Sequence, residues 1–431
     1  KEEKEGLKKE NEHLKQEIEK LTKTANRYQV ALFDHGNFKS PINEEGKQRG
    51  GQMGHADTNR EQDEDPRTYK KKRVFASRCP DCGRHLHRVN GVRQKQLLDI
   101  VLNPQAVRLI VESERQWCGT CKKEVSATDE RSLPFSEYGI NTFMMALLLR
   151  YRCLLPLKKI ALVLKIGYGL TVSESGLVSL FGQAKKYLDS KYEELKAVVR
   201  GGDIMYTDET GWQVRGKNAW MWIMANEKAT VYVAAESRGK GIASEMYGSS
   251  QAYSMHDGYG AYTKTLPKDK HLYCWSHLLR FCFEETVNKS PTSESAKIRD
   301  KLVEIYHLKK DSYYQGRPRA LEREVARGIG YLLKRKSGKD PTALALLHRL
   351  REQHEGLTRS LIITPNGTNN FAEQELRPIA LTRKISYGSD TFTGMETTAV
   401  LASIVQTYTR TKRETFFPTL AASLRAGFAN S

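Results

Sequence analysis

From Gly201 onward the chain breaks into short runs that a sheet accommodates better than any helix. Asp203 to Val214, Ala219 to Ala225 and Ala229 to Ala235 are rich in Ile, Val, Trp, Tyr and Met, with GlyLysAsn predicting the turn between the first two. A helix over Lys240 to Tyr247 follows, then a short strand over 252–257 and a fifth over 270–275 that runs into a helix through His277 and Arg280. Residues 281–360 turn helical and highly charged, and sheet character is expected to resume at LeuIleIleThrPro, 361–365. The pattern predicts a mixed α/β domain with a helical insertion.

Within the first of these strands stand two adjacent carboxylates, Asp208 and Glu209. Side chains alternate along a strand, so only one of them can serve a site on a given face. Asp257 ends the fourth strand, and Glu373 lies on a helix in AsnAsnPheAlaGluGlnGluLeuArgPro, 369–378. Taken singly, each would read as an ordinary solvent-facing acid. Placed on a first strand, the tip of a later strand and a helix against the same sheet, Asp208, Asp257 and Glu373 can converge on two divalent ions. Such a pair of ions activates water or a 3′ hydroxyl for phosphoryl transfer. Magnesium, or manganese, suits oxygen-only ligands. Asp208 is then the ligand, Glu209 points the other way, and Thr210 and Trp212 share the Asp208 face. Glu373 and Arg377 share a helix face. They form an ion pair, or else Glu373 serves metal while Arg377, Arg383 and Lys384 serve phosphates. Pro378 should kink or end that helix. Trp275 and His277 are candidates for an unstacked base or the phosphate beside the cut, with a packed aromatic and a satisfied histidine as the alternative.

Four of the seven cysteines fall in two CysXxxXxxCys pairs, Cys79 with Cys82 and Cys118 with Cys121. Two such knuckles complete a tetrahedral four-sulfur zinc site, whereas a redox dithiol needs one pair. The strand-like stretch between them fits a zinc ribbon, and a fully protein-ligated zinc is structural. Cys153, Cys274 and Cys282 lack such pairing. Cys274 and His277 have a CysXxxXxxHis spacing with no second pair nearby, which favours a structural or DNA-facing role over a second zinc.

The chain has 431 residues and a formal net charge of +19. That balance points to a polyanionic partner, nucleic acid first. A basic membrane protein is the competing class, but no apolar run reaches the roughly 18 residues of a spanning helix. Near the start, Leu7, Leu14 and Leu21 at d with Asn11, Ile18 and Ala25 at a predict a short parallel dimeric coiled coil, against a single solvated helix. From Asp34 to Lys72 the composition predicts a flexible basic linker able to track phosphates. Between Tyr138 and Tyr187 apolar residues recur at helical spacing, and two helices around GlyTyrGlyLeuThrValSer, 167–173, have the cadence of a helix-turn-helix with Ser173 as N-cap.

AspGluThrGlyTrp with GlyLysAsnAlaTrp (208–220), HisAspGlyTyrGlyAlaTyr (256–262) with TyrCysTrpSerHis (273–277), and the stretch from Asn369 to Lys384 together resemble the insertion sequence 66 family of bacterial DDE transposases. ArgGlyGlyGlnMetGlyHis (49–55), the cysteine knuckles and the helical block from Tyr138 to Phe181 extend the resemblance over nearly the whole chain. It implies a ribonuclease H-like catalytic core, with the family's triad on Asp208, Asp257 and Glu373. The family usually has Arg directly after that Glu, where this chain has Gln374. The implied organisation is multidomain: coiled coil 1–33, basic linker 34–72, zinc ribbon 73–127, helical DNA-binding domain 128–200, ribonuclease H-like core 201–280 and 361–410, helical insertion 281–360, and a tail over 411–431. The implied function is DNA cleavage and strand transfer at the element's terminal inverted repeats, joining them to target DNA by a cut-and-paste or copy route. The implied partners are double-stranded DNA and further copies of the chain, in the bacterial cytoplasm at the nucleoid. A transposase-derived DNA-binding protein without catalysis and a metal-dependent nuclease are the rivals.

Overall fold

The computed structural model describes residues 82–85, 105–126, 129–133, 136–335 and 340–429. The expected coiled coil, the basic linker and Cys79 lie outside them. The chain divides into two units, His35–Leu102 and the remainder, and the fold described below belongs to the second.

A hairpin of β1 (Arg115–Cys118) and β2 (Lys123–Ser126) comes first. Then follow α1 (Ile140–Leu147), a π-helical turn at Leu148–Arg152, α2 (Leu157–Tyr168) and the long α3 (Glu174–Arg200). Gly169, at φ 68°, ends α2 in the left-handed conformation that glycine adopts at least cost. Ser173 caps α3 as expected, its hydroxyl accepting from the Gly176 N–H at 3.0 Å.

The sheet holds β3 (Ile204–Val214), β4 (Lys217–Ala225), β5 (Thr230–Ala235), β6 (Tyr253–His256) and β7 (His271–Tyr273), with α4 (Lys240–Tyr247) and the short α5 (Gly260–Thr263) on the connections. Its order is β5-β4-β3-β6-β7, antiparallel among the first three and parallel thereafter. The β3–β4 turn falls on Arg215 and Gly216, both at positive φ (49° and 76°), one step before the expected GlyLysAsn. Two positive φ values in a two-residue loop match the twist of a hairpin.

β5 lies at the sheet edge, and its outward backbone groups at Thr230 and Tyr232 are occupied by side-chain hydroxyls. Thr407 Oγ1 accepts from the Thr230 N–H (3.0 Å) and donates to the Thr230 carbonyl (3.1 Å). Ser403 Oγ accepts from the Tyr232 N–H (2.8 Å), and the Tyr192 hydroxyl donates to the Tyr232 carbonyl (2.6 Å). Ser403 and Thr407 belong to α11 (Phe392–Thr411).

After β7 come α6 (Trp275–Thr286), α7 (Glu294–His307), α8 (Pro318–Leu333) and α9 (Pro341–Ile363), then α10 (Asn370–Ser386), α11 and α12 (Phe416–Ala429). Helices α6 to α9 build their own apolar cluster around Leu278, Ile298, Leu302, Val325, Ile329 and Leu350. The helical block before the sheet shares one continuous core with it, Phe143, Leu177 and Leu188 clustering with Trp222, Tyr232 and Leu401.

Three expectations change here. LeuIleIle, 361–363, ends α9 instead of returning to the sheet; burial in the insertion's core overrides the strand preference of a β-branched run. Of the two outcomes expected at Pro378, termination does not occur: α10 runs on to Ser386. The carbonyl that its missing N–H leaves unbonded belongs to Gln374, an exposed residue that water can reach. The segment read as a tail holds α12, which buries Phe416, Leu420 and Leu424 in the main core. Among the described residues no helix is long and apolar enough to cross a membrane.

Candidate active site

The strand period separates the two acids of β3. Tyr206, Asp208, Thr210 and Trp212 face α10: Tyr206 meets Phe371, Thr210 accepts from Arg383, and Trp212 donates to Ser389. Thr207 and Glu209 face the other side, toward Tyr247 and Tyr262.

Helix α10 is pinned to β3 at both ends. At its start Asn369 Nδ2 donates to the Thr207 carbonyl (2.9 Å), and the Asn369 N–H donates to Cys274 Sγ (3.1 Å). At its end the chain returns onto β3 through Ser389, whose N–H donates to the Gln213 carbonyl (2.9 Å). Gly388 makes that approach possible: at φ 104°, a Cβ there would lie 2.2 Å from the Gln213 oxygen. Glu373 thereby stands in the first helical turn, and it acts electrostatically on Asp208.

Asp257 follows β6 directly. Its Oδ1 accepts from the Tyr259 N–H (2.7 Å), and Arg349 of α9 donates to its carbonyl at 3.4 Å. The turn is supported from behind by two imidazoles. His256 Nδ1 accepts from the Gly258 N–H (3.0 Å), leaving Nε2 to donate to His271 Nδ1 (2.9 Å), and His271 Nε2 donates to the Leu266 carbonyl (3.1 Å). Burial, and for His256 also the neighbouring His271, pushes both histidines down from their ordinary value.

The three carboxylates share one electrostatic environment. Burial first, then the charges of Glu209, Asp257 and Glu373, push Asp208 up to about 8 against the pull of the Glu209 N–H, which donates to Asp208 Oδ1 at 2.9 Å. Glu373 Oε1 lies 3.7 Å from His277 Nδ1, and both atoms are buried without a hydrogen-bond partner. Burial lowers His277, opposed by the Glu373 and Asp257 charges and reinforced by Arg280 and Arg349. Among the described residues, no three His, Cys, Asp or Glu side chains are gathered closely enough to hold one ion as they stand.

The expected cationic residues divide. Arg377 and Lys384 are exposed on α10, and among the described residues no ion pair joins Arg377 to Glu373. Arg383 is engaged by β3, donating to Thr210 Oγ1 (3.2 Å) and the Gly211 carbonyl (2.5 Å). Trp275 is corrected outright: it is fully buried, its indole N–H donates to the Leu357 carbonyl (2.9 Å) and its ring stacks on Tyr306, so no face remains for a base. His277 sits beside Glu373, which makes it a neighbour of the carboxylates. Cys274 is buried and serves α10 as a structural acceptor. Arg238 and Arg349 carried no signal beyond residue type, and Tyr259 and Tyr262 entered only as members of the HisAspGlyTyrGlyAlaTyr motif.

Of the cysteine knuckles, Cys82 is exposed, Cys118 ends β1 and Cys121 lies in the β1–β2 turn. Cys118 Sγ accepts from the Cys121 N–H at 3.4 Å, and N–H groups of Cys121 and Thr120 lower its pKa.

Comparison with known proteins supplies the family. Residues 137–397 match the family model described as transposase IS66 family. The chain belongs to the IS66 family of transposases. It is also similar to a protein of Sinorhizobium fredii (strain NBRC 101917 / NGR234) named "Uncharacterized protein y4jD", 27% identical over 371 residues, covering 76% of this chain and 70% of that one.

Proposed function

We propose that the chain is a DNA transposase that cleaves the ends of its element and joins them to target DNA, with Asp208, Asp257 and Glu373 as its catalytic carboxylates. The observation that carries this reading is that Asp257 and Glu373, from well-separated stretches, both act on Asp208, adding with Glu209 to the burial that pushes it up to about 8. The five-stranded mixed sheet, with Asp208 on its central strand and Asp257 beyond the neighbouring one, supports a ribonuclease H-like core. The residues fit a divalent cation: the donors are hard oxygens, Glu373 Oε1 is buried without a partner, and neighbouring acids raise Asp208. Magnesium or manganese held by these three side chains would supply activation of the attacking hydroxyl and neutralisation of the leaving oxygen.

The chain's own residues position and select. Backbone N–H groups of Glu209 and Tyr259 orient Asp208 and Asp257. Exposed Arg377 and Lys384 offer charge to the phosphodiester backbone. The zinc site of Cys79, Cys82, Cys118 and Cys121 and the dimeric coiled coil enter the proposal on cysteine and heptad spacing. The family points to work on DNA in the bacterial cytoplasm.

The test is a strand-transfer assay on labelled terminal-repeat oligonucleotides with magnesium. Asp208→Asn, Asp257→Asn and Glu373→Gln should each lose cleavage and joining while retaining DNA binding. Cleavage by Asp208→Asn at the wild-type rate removes Asp208 from the site; wild-type cleavage without joining favours the nuclease.

A further inference from the structure

Glu209 projects away from Asp208, yet it is not idle. Its side chain is only 2% exposed. One oxygen, Oε1, accepts from Arg238 Nε (2.8 Å) and Nη2 (2.7 Å), and the other accepts from the Tyr262 hydroxyl. A carboxylate so deeply buried is tolerated only when its charge is paired and its lone pairs are met.

Arg238 has a second set of partners. Its guanidinium lies 4.1 Å from the Tyr259 ring centroid and 4.7 Å from that of Trp220, while the Tyr259 hydroxyl donates to the Arg238 carbonyl at 3.3 Å. Stacking on aromatic faces and a fork of N–H donors are what distinguish arginine from lysine.

The two arms meet the catalytic acids through the backbone. The Glu209 N–H donates to Asp208 Oδ1 at 2.9 Å, and the Tyr259 N–H donates to Asp257 Oδ1 at 2.7 Å. Each residue that holds a catalytic carboxylate by its N–H therefore engages Arg238 by its side chain. β3 and the turn after β6 lie on adjacent strands that pair only over Ile204–Tyr206 with Tyr253–Met255, short of both acids. Backbone pairing stops before it could set their spacing.

We propose that Arg238 is a positioning residue: clamped between Glu209 and Tyr259, it sets the separation of Asp208 and Asp257 and so the affinity of the site for its divalent cation. The inference rests on the proposed metal role of those acids.

The test uses the full-length protein without DNA and manganese as probe, read by calorimetry and by the electron paramagnetic resonance of the bound ion, with Asp208→Asn as reference for loss of the site. Arg238→Gln should weaken manganese binding about tenfold or more, the scale of lost support behind a metal ligand. Arg238→Lys should fall between it and wild type. Because Arg238→Gln leaves Glu209 buried and unpaired, the double variant Glu209→Gln/Arg238→Gln is needed: it should regain unfolding stability but not manganese affinity. Wild-type affinity in folded Arg238→Gln, or affinity returning with stability in the double variant, overturns the inference alone. Wild-type protein with no manganese site sensitive to Asp208→Asn overturns the metal reading and this inference together.

Discussion

Replacing Asp208 by Asn should make the metal-free protein more stable while abolishing its chemistry. Burial and neighbouring acids push Asp208 from an ordinary 3.8 up to about 8. An acid with a higher pKa folded than unfolded takes up a proton on folding. Its favourable contribution is therefore complete below 3.8 and is lost as pH rises through the folded value. At pH 7 the unfolded chain would have released that proton. Roughly 3 units of difference at about 1.4 kcal/mol each give ~4 kcal/mol, an upper figure because side-chain rotation and water entry relieve part of it. Asparagine has the same shape and does not titrate. Urea unfolding of the full-length protein in EDTA, from about pH 5 to about pH 8, reads the difference. Wild-type stability should decline across that range relative to Asp208→Asn, and added manganese should raise wild type only, since a ligand stabilises the state that binds it. A variant that tracks wild type at every pH, or is less stable at the alkaline end, refutes the argument.

The His256–His271 chain requires both rings neutral, and both are lowered from 6.5. Stability should therefore be intact above that value and fall as pH drops below it, with a shallower acid-side slope in His271→Gln; equal slopes would refute the assignment. Glu375, which accepts from Thr230 Oγ1 at 2.6 Å, lies 3.5 Å from Arg410 Nε, so Arg410→Met should cost ~3 kcal/mol in chemical denaturation and Arg410→Met/Glu375→Gln distinctly less. Equal losses would mean that the charge on Glu375 is not what the arginine offsets. Metal analysis should find about one zinc per chain, lost in Cys118→Ser/Cys121→Ser; retention would refute the cysteine ligands.

The sheet was legible where turn chemistry and alternation agree, and α4 falls over the residues its sequence predicts, Lys240–Tyr247. The three acids could be singled out by their places in the pattern: Asp208 as a carboxylate inside an apolar strand, Asp257 just past the end of a strand and Glu373 in a helix's first turn. Arg238 could not: it lies between the third expected strand and the helix that starts at Lys240, and nothing local says that its guanidinium meets Glu209, 29 residues away. Trp275 misled for the opposite reason. Its place beside His277 suggests a site residue, while the helix that covers it, α9, lies 82 residues on at Leu357. Contacts over such separations are tertiary and leave no period in the chain.

The hydroxyl-covered edge at β5 has a consequence for assembly. An edge strand with unanswered N–H and C=O groups is a template for another chain's strand. Here Thr407, Ser403 and Tyr192 already occupy those of Thr230 and Tyr232. A second strand would find no free backbone groups to pair with at Thr230 and Tyr232, so that stretch of the border is closed to extension of the sheet.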